Sequence, residues 1–208
     1  MIAVTACYSV EAKWVEPQPG LRLVRTPVGD SASEAMEALF VVESPALLLS
    51  TGFCGGLRPD LRAGDLVLAD VIRYRGEEIF VSPDLLQRAR RALGADSRVA
   101  RIGPCESTTV VVDAERKRQL AEAGAVSVDM ESGSLAGWAR RRRIPFLSLR
   151  IVLDPLDVDL PFSVEDSLTA SILRHPIRTL RVAGSAVRVG RELGRALNEL
   201  IPVLKENP

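Results

Sequence analysis

The chain has 208 residues, enough for one domain with a substantial core. Lys plus Arg and Asp plus Glu each number 27, so no net charge points to nucleic acid or to an anionic surface. No apolar run reaches transmembrane length, no basic segment precedes the short apolar run at the N-terminus, and a single histidine argues against histidine-based zinc sites and a Ser-His-Asp triad.

Short apolar runs alternate with helical patterns along the chain. Ile2–Cys7 and Leu21–Val28 read as strands and Ser31–Val42 as a helix. Ala46–Phe53, Asp65–Tyr74 and Val99–Ile102 read as further strands. Asp84–Leu93 and Asp113–Ala123 read as amphipathic helices capped by their first aspartates. Strand Ala125–Met130, helix Glu131–Arg142 and strand Phe146–Leu153 follow, then helices over Ser163–Leu173 and Pro176–Leu200. The alternation predicts an α/β fold, a three-layer α/β/α domain with a central mixed sheet spanning residues 1–208. Its last part, about residues 163–203, is helical and basic. Cys7, Cys54 and Cys105 are odd in number and widely spaced, without metal-ligand spacing, and read as reduced thiols of a cytoplasmic protein.

Two segments carry chemistry. Val128-Asp129-Met130-Glu131-Ser132 sets a carboxylate after one strand, and Arg150-Ile151-Val152-Leu153-Asp154 sets another after the next. Strand ends of α/β sheets are where such proteins build sites, although acids are also ordinary loop and cap residues. The strand from Leu47 runs into Thr51-Gly52-Phe53-Cys54-Gly55-Gly56-Leu57, read as a glycine-rich loop that lets backbone approach a ligand. It is neither a dinucleotide fingerprint nor a Walker sequence.

In this order the segments resemble the nucleoside phosphorylase and methylthioadenosine/S-adenosylhomocysteine nucleosidase superfamily, over about Ile2 to Pro155. The resemblance implies a nucleoside phosphorylase-like fold and cleavage of a purine N-glycosidic bond in an adenosine-type nucleoside. It implies no cofactor, phosphate being the one candidate co-substrate, no metal, and a homodimer or higher oligomer. It makes Asp154 the general acid that protonates the purine and Glu131 the acceptor of the ribose hydroxyls. Met130 would contact the sugar face, Phe53, Cys54 and Gly55 the base and sugar, and Ser107 and Thr108, with Thr109, further base or sugar contacts. Glu11 corresponds to the glutamate that positions the attacking water, offset by Cys7-Tyr8-Ser9-Val10; a surface helix glutamate is the plainer alternative.

Hydrolysis and phosphorolysis both stay open. Phosphorolytic relatives carry an arginine before the glycine segment where this chain has Ser50, which favours hydrolysis; Arg22, Arg25 and Arg58 are the nearby substitutes. The tail is similar to that of the hopanoid-associated branch, whose customary name is phosphorylase and which acts on adenosylhopane. Its arginines, among them Arg174, Arg178, Arg181, Arg188, Arg191 and Arg195, flank an apolar stripe of Leu180, Val187 and Leu197. An ordinary surface helix is the simpler reading, and peripheral membrane contact the other. His175 reads as a helix-boundary residue, and Arg140–Arg143 as a solvated helix end. A methylthioadenosine nucleosidase, a general purine phosphorylase and a non-catalytic nucleoside-binding protein are the alternatives. A base-release assay separates the enzymes from the binder.

Overall fold

The computed structural model describes residues 1–94, 101–158 and 176–206, of which 176–183 by their backbone alone. The elements are β1 (Ile2–Ala6), α1 (Ser9–Ala12), β2 (Leu21–Arg25), α2 (Ser31–Leu39), β3 (Leu47–Gly56), β4 (Leu66–Tyr74) and β5 (Glu77–Phe80). They continue with α3 (Pro83–Leu93), β6 (Arg101–Ser107), α4 (Ala114–Glu122), β7 (Ser127–Asp129), α5 (Ser132–Arg142), β8 (Phe146–Asp154) and α6 (Pro176–Lys205). The expected helix over Ser163–Leu173, and His175, lie outside the described residues.

The sheet is mixed, as expected. Its order is β2-β1-β3-β7-β6-β4-β5, and β8 pairs with both β3 and β4. β8 runs parallel to β3 and antiparallel to β4, so β3, β8, β4, β6 and β7 close on themselves. The principal core lies between this sheet and the helices, where Leu47, Leu48, Leu49, Leu68, Leu147 and Leu149 are buried. Residues of β8 are buried along nearly its whole length, which explains why it reads as a continuous apolar run rather than an alternating one.

Four local expectations need correction. Ser82, not Asp84, stands at the N-cap of α3, with Pro83 in the first turn, where its missing N–H costs nothing. β5 is an extra strand, formed because Arg75 (φ 51°) and Gly76 (φ 78°) make a two-residue turn with positive φ at both positions, the geometry that closes a hairpin. In α6 the buried stripe is Val189, Leu193, Leu197, Leu200, Ile201 and Leu204, while Val187 is half exposed. The arginines closing α5 are not simply solvated: Arg142 donates to the Phe40 carbonyl at 2.8 Å and lies over the Trp138 ring.

Helix α6 braces the N-terminal segment. A Cβ on Gly190 would stand 2.5 Å from the Val10 carbonyl oxygen, and one on Gly194 would overlap Trp14. Asn198 closes the contact, donating to the Trp14 carbonyl at 3.0 Å and accepting from the Glu16 N–H at 2.9 Å. The residues so clamped flank Glu11. No helix among the described residues is long and apolar enough to cross a membrane.

Candidate active site

The glycine segment is strand, not loop. β3 runs unbroken through Gly56, and register pairs Gly52 with Arg150 and Gly55 with Asp154 of β8. Its glycines make room for the protein's own charged side chains. Gly52 has φ +142°, and a Cβ there would lie 2.7 Å from both Arg150 Nη1 and Glu11 Oε1.

Arg150 is the centre of this cluster. It is 2% exposed, and its Nε lies 2.8 Å from Asp129 Oδ2 and its Nη1 3.4 Å from Glu131 Oε2. It also donates to Ser50 Oγ (2.9 Å), the Thr51 carbonyl (3.1 Å) and Ser132 Oγ (3.0 Å). Burial works against its charge, yet Asp129 and Glu131 together hold its pKa above the ordinary value. A buried guanidinium surrounded this way has its donors committed, and it fixes three strands relative to one another.

Glu11 is buried, at 2% exposure, on the four-residue helix α1. Oε2 accepts from the N–H groups of Cys7 (2.9 Å) and Tyr8 (2.8 Å), and Oε1 accepts from Phe53 N–H at 2.8 Å. The glutamate therefore lies in the buried cluster around Arg150 and is not a surface residue; the turn over Tyr8 brings it in. Burial pushes its pKa up, opposed by those backbone donors and by Arg150. Glu131 precedes α5 and is also buried; its pKa is pushed up to about 7 by burial and by the neighbouring Asp129 and Glu11, with Arg150 working in the other direction. Three carboxyl groups, of Glu11, Asp129 and Glu131, thus surround one buried guanidinium, and the protonation of Glu131 depends on its neighbours.

Asp154 ends β8 and is 6% exposed. It is ion-paired with Lys117, which sits on α4 and is 1% exposed. Sequence reasoning missed Lys117, because a lysine in a polar helix gives no sign of pointing inward. Asp129, the second residue of the Val128–Ser132 motif, has a structural role: Oδ1 accepts from Ser107 Oγ at 2.9 Å and from Ser132 N–H at 3.2 Å.

The remaining expected residues divide. Phe53 and Met130 are half-buried beside Glu11 and Glu131 in sequence and register. Gly55 lies against Asp154, since a Cβ there would be 3.3 Å from Oδ2. Cys54 faces elsewhere, packed in an apolar cluster with Leu61, Val67, Val126 and Val152, and burial pushes its thiol pKa up. Ser107 is buried and holds the start of α5, accepting from Gly133 N–H at 2.9 Å while donating to Asp129. Thr108 is half exposed and, with Ser107, Tyr74, Arg75, Val110 and Arg116, lines an open cleft of about 480 Å³. None of Glu11, Glu131 and Asp154 lines that cleft; Ser107 and its bond to Asp129 connect the two regions. Arg22 and Arg58 are engaged away from the cluster, over the Phe40 ring and beside Asp60. Among the described residues no group of His, Cys, Asp and Glu has the arrangement to hold a metal ion.

Residues 20–174 match the phosphorylase superfamily. A 5′-methylthioadenosine/S-adenosylhomocysteine nucleosidase of Tolumonas auensis is 24% identical over 168 residues, which cover 70% of this chain and 73% of that protein. An AMP nucleosidase of Escherichia coli is 29% identical over 182 residues, covering 75% of this chain but 37% of the longer relative. Among solved structures, a Borrelia burgdorferi protein described as a 5′-methylthioadenosine/S-adenosylhomocysteine nucleosidase, bound to adenine, superposes with a TM-score of 0.78 at 14% identity over 98% of this chain and 100% of that one. Futalosine hydrolase of Helicobacter pylori gives 0.73 at 18% identity over 98% and 97%. At these identities the structural likeness speaks for the fold.

Proposed function

The chain belongs to the phosphorylase superfamily, and on that footing we propose that it hydrolyses the N-glycosidic bond of an adenosine-type purine nucleoside. Nucleosidases among its relatives support an enzyme that breaks an N-glycosyl bond. The observation that carries hydrolysis is Glu11. A buried carboxylate occupies the space beside Gly52, and it takes the Phe53 N–H that an incoming anion would need. A phosphate dianion brought there would face that carboxylate, and Arg150 is already paired with Asp129 and Glu131. Water carries no such penalty.

In this reading Glu11 orients a water and takes its proton as the water oxygen bonds to the anomeric carbon. The C–N bond breaks with its electron pair moving into the purine, and Asp154 delivers a proton to the base. Glu131 accepts hydrogen bonds from the two ribose hydroxyls, its negative charge favouring the cationic character that develops on the sugar. Met130 supplies a soft apolar contact to the sugar. A hydrophobic 5′ substituent, as in the adenosylhopane reading, is supported by two exposed aliphatic side chains: Val158 on the loop after Asp154, and Val110, 64% exposed, in the separate cleft that meets the cluster through Ser107. Homo-oligomerisation is proposed on the same resemblance, and membrane contact through α6 stays a proposal for its exposed arginines Arg188 and Arg195.

The test is base release from adenosine, 5′-methylthioadenosine and a 5′-alkyl adenosine, each with and without phosphate, by wild type and Asp154→Asn. The expected result is phosphate-independent adenine release that falls about 10²–10⁴-fold in the variant. Strict dependence on phosphate would replace hydrolysis with phosphorolysis, and near-normal turnover by the variant would remove Asp154 as the acid.

A further inference from the structure

Lys117 is the most heavily buried lysine contact in the described molecule that the reaction scheme above leaves unused. Its Nζ is ion-paired with Asp154 Oδ2 and donates to the carbonyls of Pro155 (3.1 Å) and Val158 (2.7 Å). An ammonium has three protons, and here three acceptors face it. We propose that Lys117 is a positioning residue for Asp154. It fixes the carboxyl group and the chain that follows it, and it sets a positive charge where negative charge appears as Asp154 gives up its proton. This rests on the reading of Asp154 as the general acid.

The geometry around the pair is built for this contact. Asp113 caps α4, its side chain accepting from Arg116 N–H at 2.8 Å, so the turn that carries Lys117 is fixed at its start. The lysine stem then passes over β3 at Gly55, where a Cβ would lie 3.2 Å from Lys117 Cε and 3.3 Å from Asp154 Oδ2. Any larger residue at position 55 would push on both partners. The two carbonyls belong to the segment leaving β8, so the ammonium also holds the backbone that turns away from the catalytic end of the strand.

Burying a lysine is costly unless its charge is paired and its protons are satisfied. A purely structural anchor for the 155–158 loop could use an uncharged donor with no carboxylate involved. Here the anchor and the carboxylate are the same contact. In the resting protein the pair favours the ionised carboxylate, so Asp154 takes up a proton before it acts, and the ion pair is restored beside the leaving group as that proton passes to the base. That interaction is stronger at the transition state than with a protonated carboxyl group, which is the condition for accelerating the step rather than only binding substrate.

The experiment is a double-mutant cycle on the full chain: wild type, Lys117→Gln, Asp154→Asn and the double variant, with kcat and KM measured for adenine release. Lys117→Gln keeps N–H donors for the two carbonyls and removes the charge. The expected result is a fall in kcat of about 10²-fold with KM nearly unchanged, because a misplaced catalytic group costs rate far more than binding. The double variant should be no slower than Asp154→Asn alone, since Lys117 acts only through Asp154. Wild-type kcat in Lys117→Gln, a loss carried by KM, or losses that multiply in the double variant would each overturn the inference. Should Lys117→Gln not fold, Lys117→Arg carries the same cycle: it keeps the charge but cannot keep the geometry beside Gly55, so kcat should fall and the double variant should again match Asp154→Asn. If the wild-type protein releases no base, the underlying functional reading fails instead. If wild type and Asp154→Asn differ as expected but Lys117→Gln matches wild type, only the role of Lys117 fails.

Discussion

Replacing Glu11 by glutamine separates the hydrogen bonds this side chain makes from the catalytic role proposed for it. Oε2 accepts from Cys7 and Tyr8 N–H at 2.9 and 2.8 Å, and Oε1 accepts from Phe53 N–H at 2.8 Å. A glutamine has one acceptor oxygen. Turned to keep Cys7 and Tyr8, it presents an NH2 group to the Phe53 N–H, donor against donor. The lost bond and the stranded buried N–H cost about 1–3 kcal/mol. Relief from burying a charge works the other way, since burial already pushes the pKa of Glu11 up. The net loss should therefore sit near the low end, which for a chain of this size lowers Tm by about 2–6 °C. Loss of the base that activates water should lower kcat/KM by about 10²–10⁴-fold, far more than the change in stability explains. Thermal melts and adenine release from 5′-methylthioadenosine measure the two effects side by side. If Tm falls as expected while kcat/KM stays within about threefold of wild type, Glu11 is scaffold alone and the hydrolytic reading loses its base.

Gly52→Ala sets a methyl group 2.7 Å from Arg150 Nη1 and Glu11 Oε1 at φ +142°; we expect about 1–3 kcal/mol of destabilisation in urea and about 10²-fold lower kcat. Glu131, with its pKa pushed up to about 7, should bind ribosides more tightly as pH rises through 7, whereas deoxy analogues should show a much flatter profile; titrations of both at several pH values check this. The sign for stability is opposite. Because the folded-state value lies above 4.5, the contribution of Glu131 is fully present below pH 4.5 and lost as pH rises through about 7, so melts of Glu131→Gln should lack that decline. Arg150→Met leaves Asp129 and Glu131 buried without their cation and should cost about 3–5 kcal/mol, read from the urea midpoint.

The sequence by itself carried most of the elements, though not β5 or the reach of β3 through Gly56. Period and composition suffice for this: β8 is a mainly apolar strand whose last residue is Asp154, followed by Pro155, and α4 begins at an aspartate whose capping bond forms as expected. The fold's mixed sheet and the membership of its superfamily follow from motifs set at strand ends. What the sequence could not show is which charged side chains turn inward, because that depends on partners far away in the chain. Arg150 meets Asp129 only after β8 has paired with β3, and Lys117 meets Asp154 only across 37 residues and the face of Gly55. For Glu11 the sequence left a catalytic role and a surface glutamate both open; its burial is decided in the folded chain, where α6 presses Gly190 and Gly194 against its neighbours Val10 and Trp14. The glycines between Thr51 and Leu57 were legible as a place of close approach, but only tertiary structure decided what approaches: the protein's own arginine, glutamate and lysine. Local pattern is set by neighbours in sequence, whereas the compensation of a buried charge is set by neighbours in space.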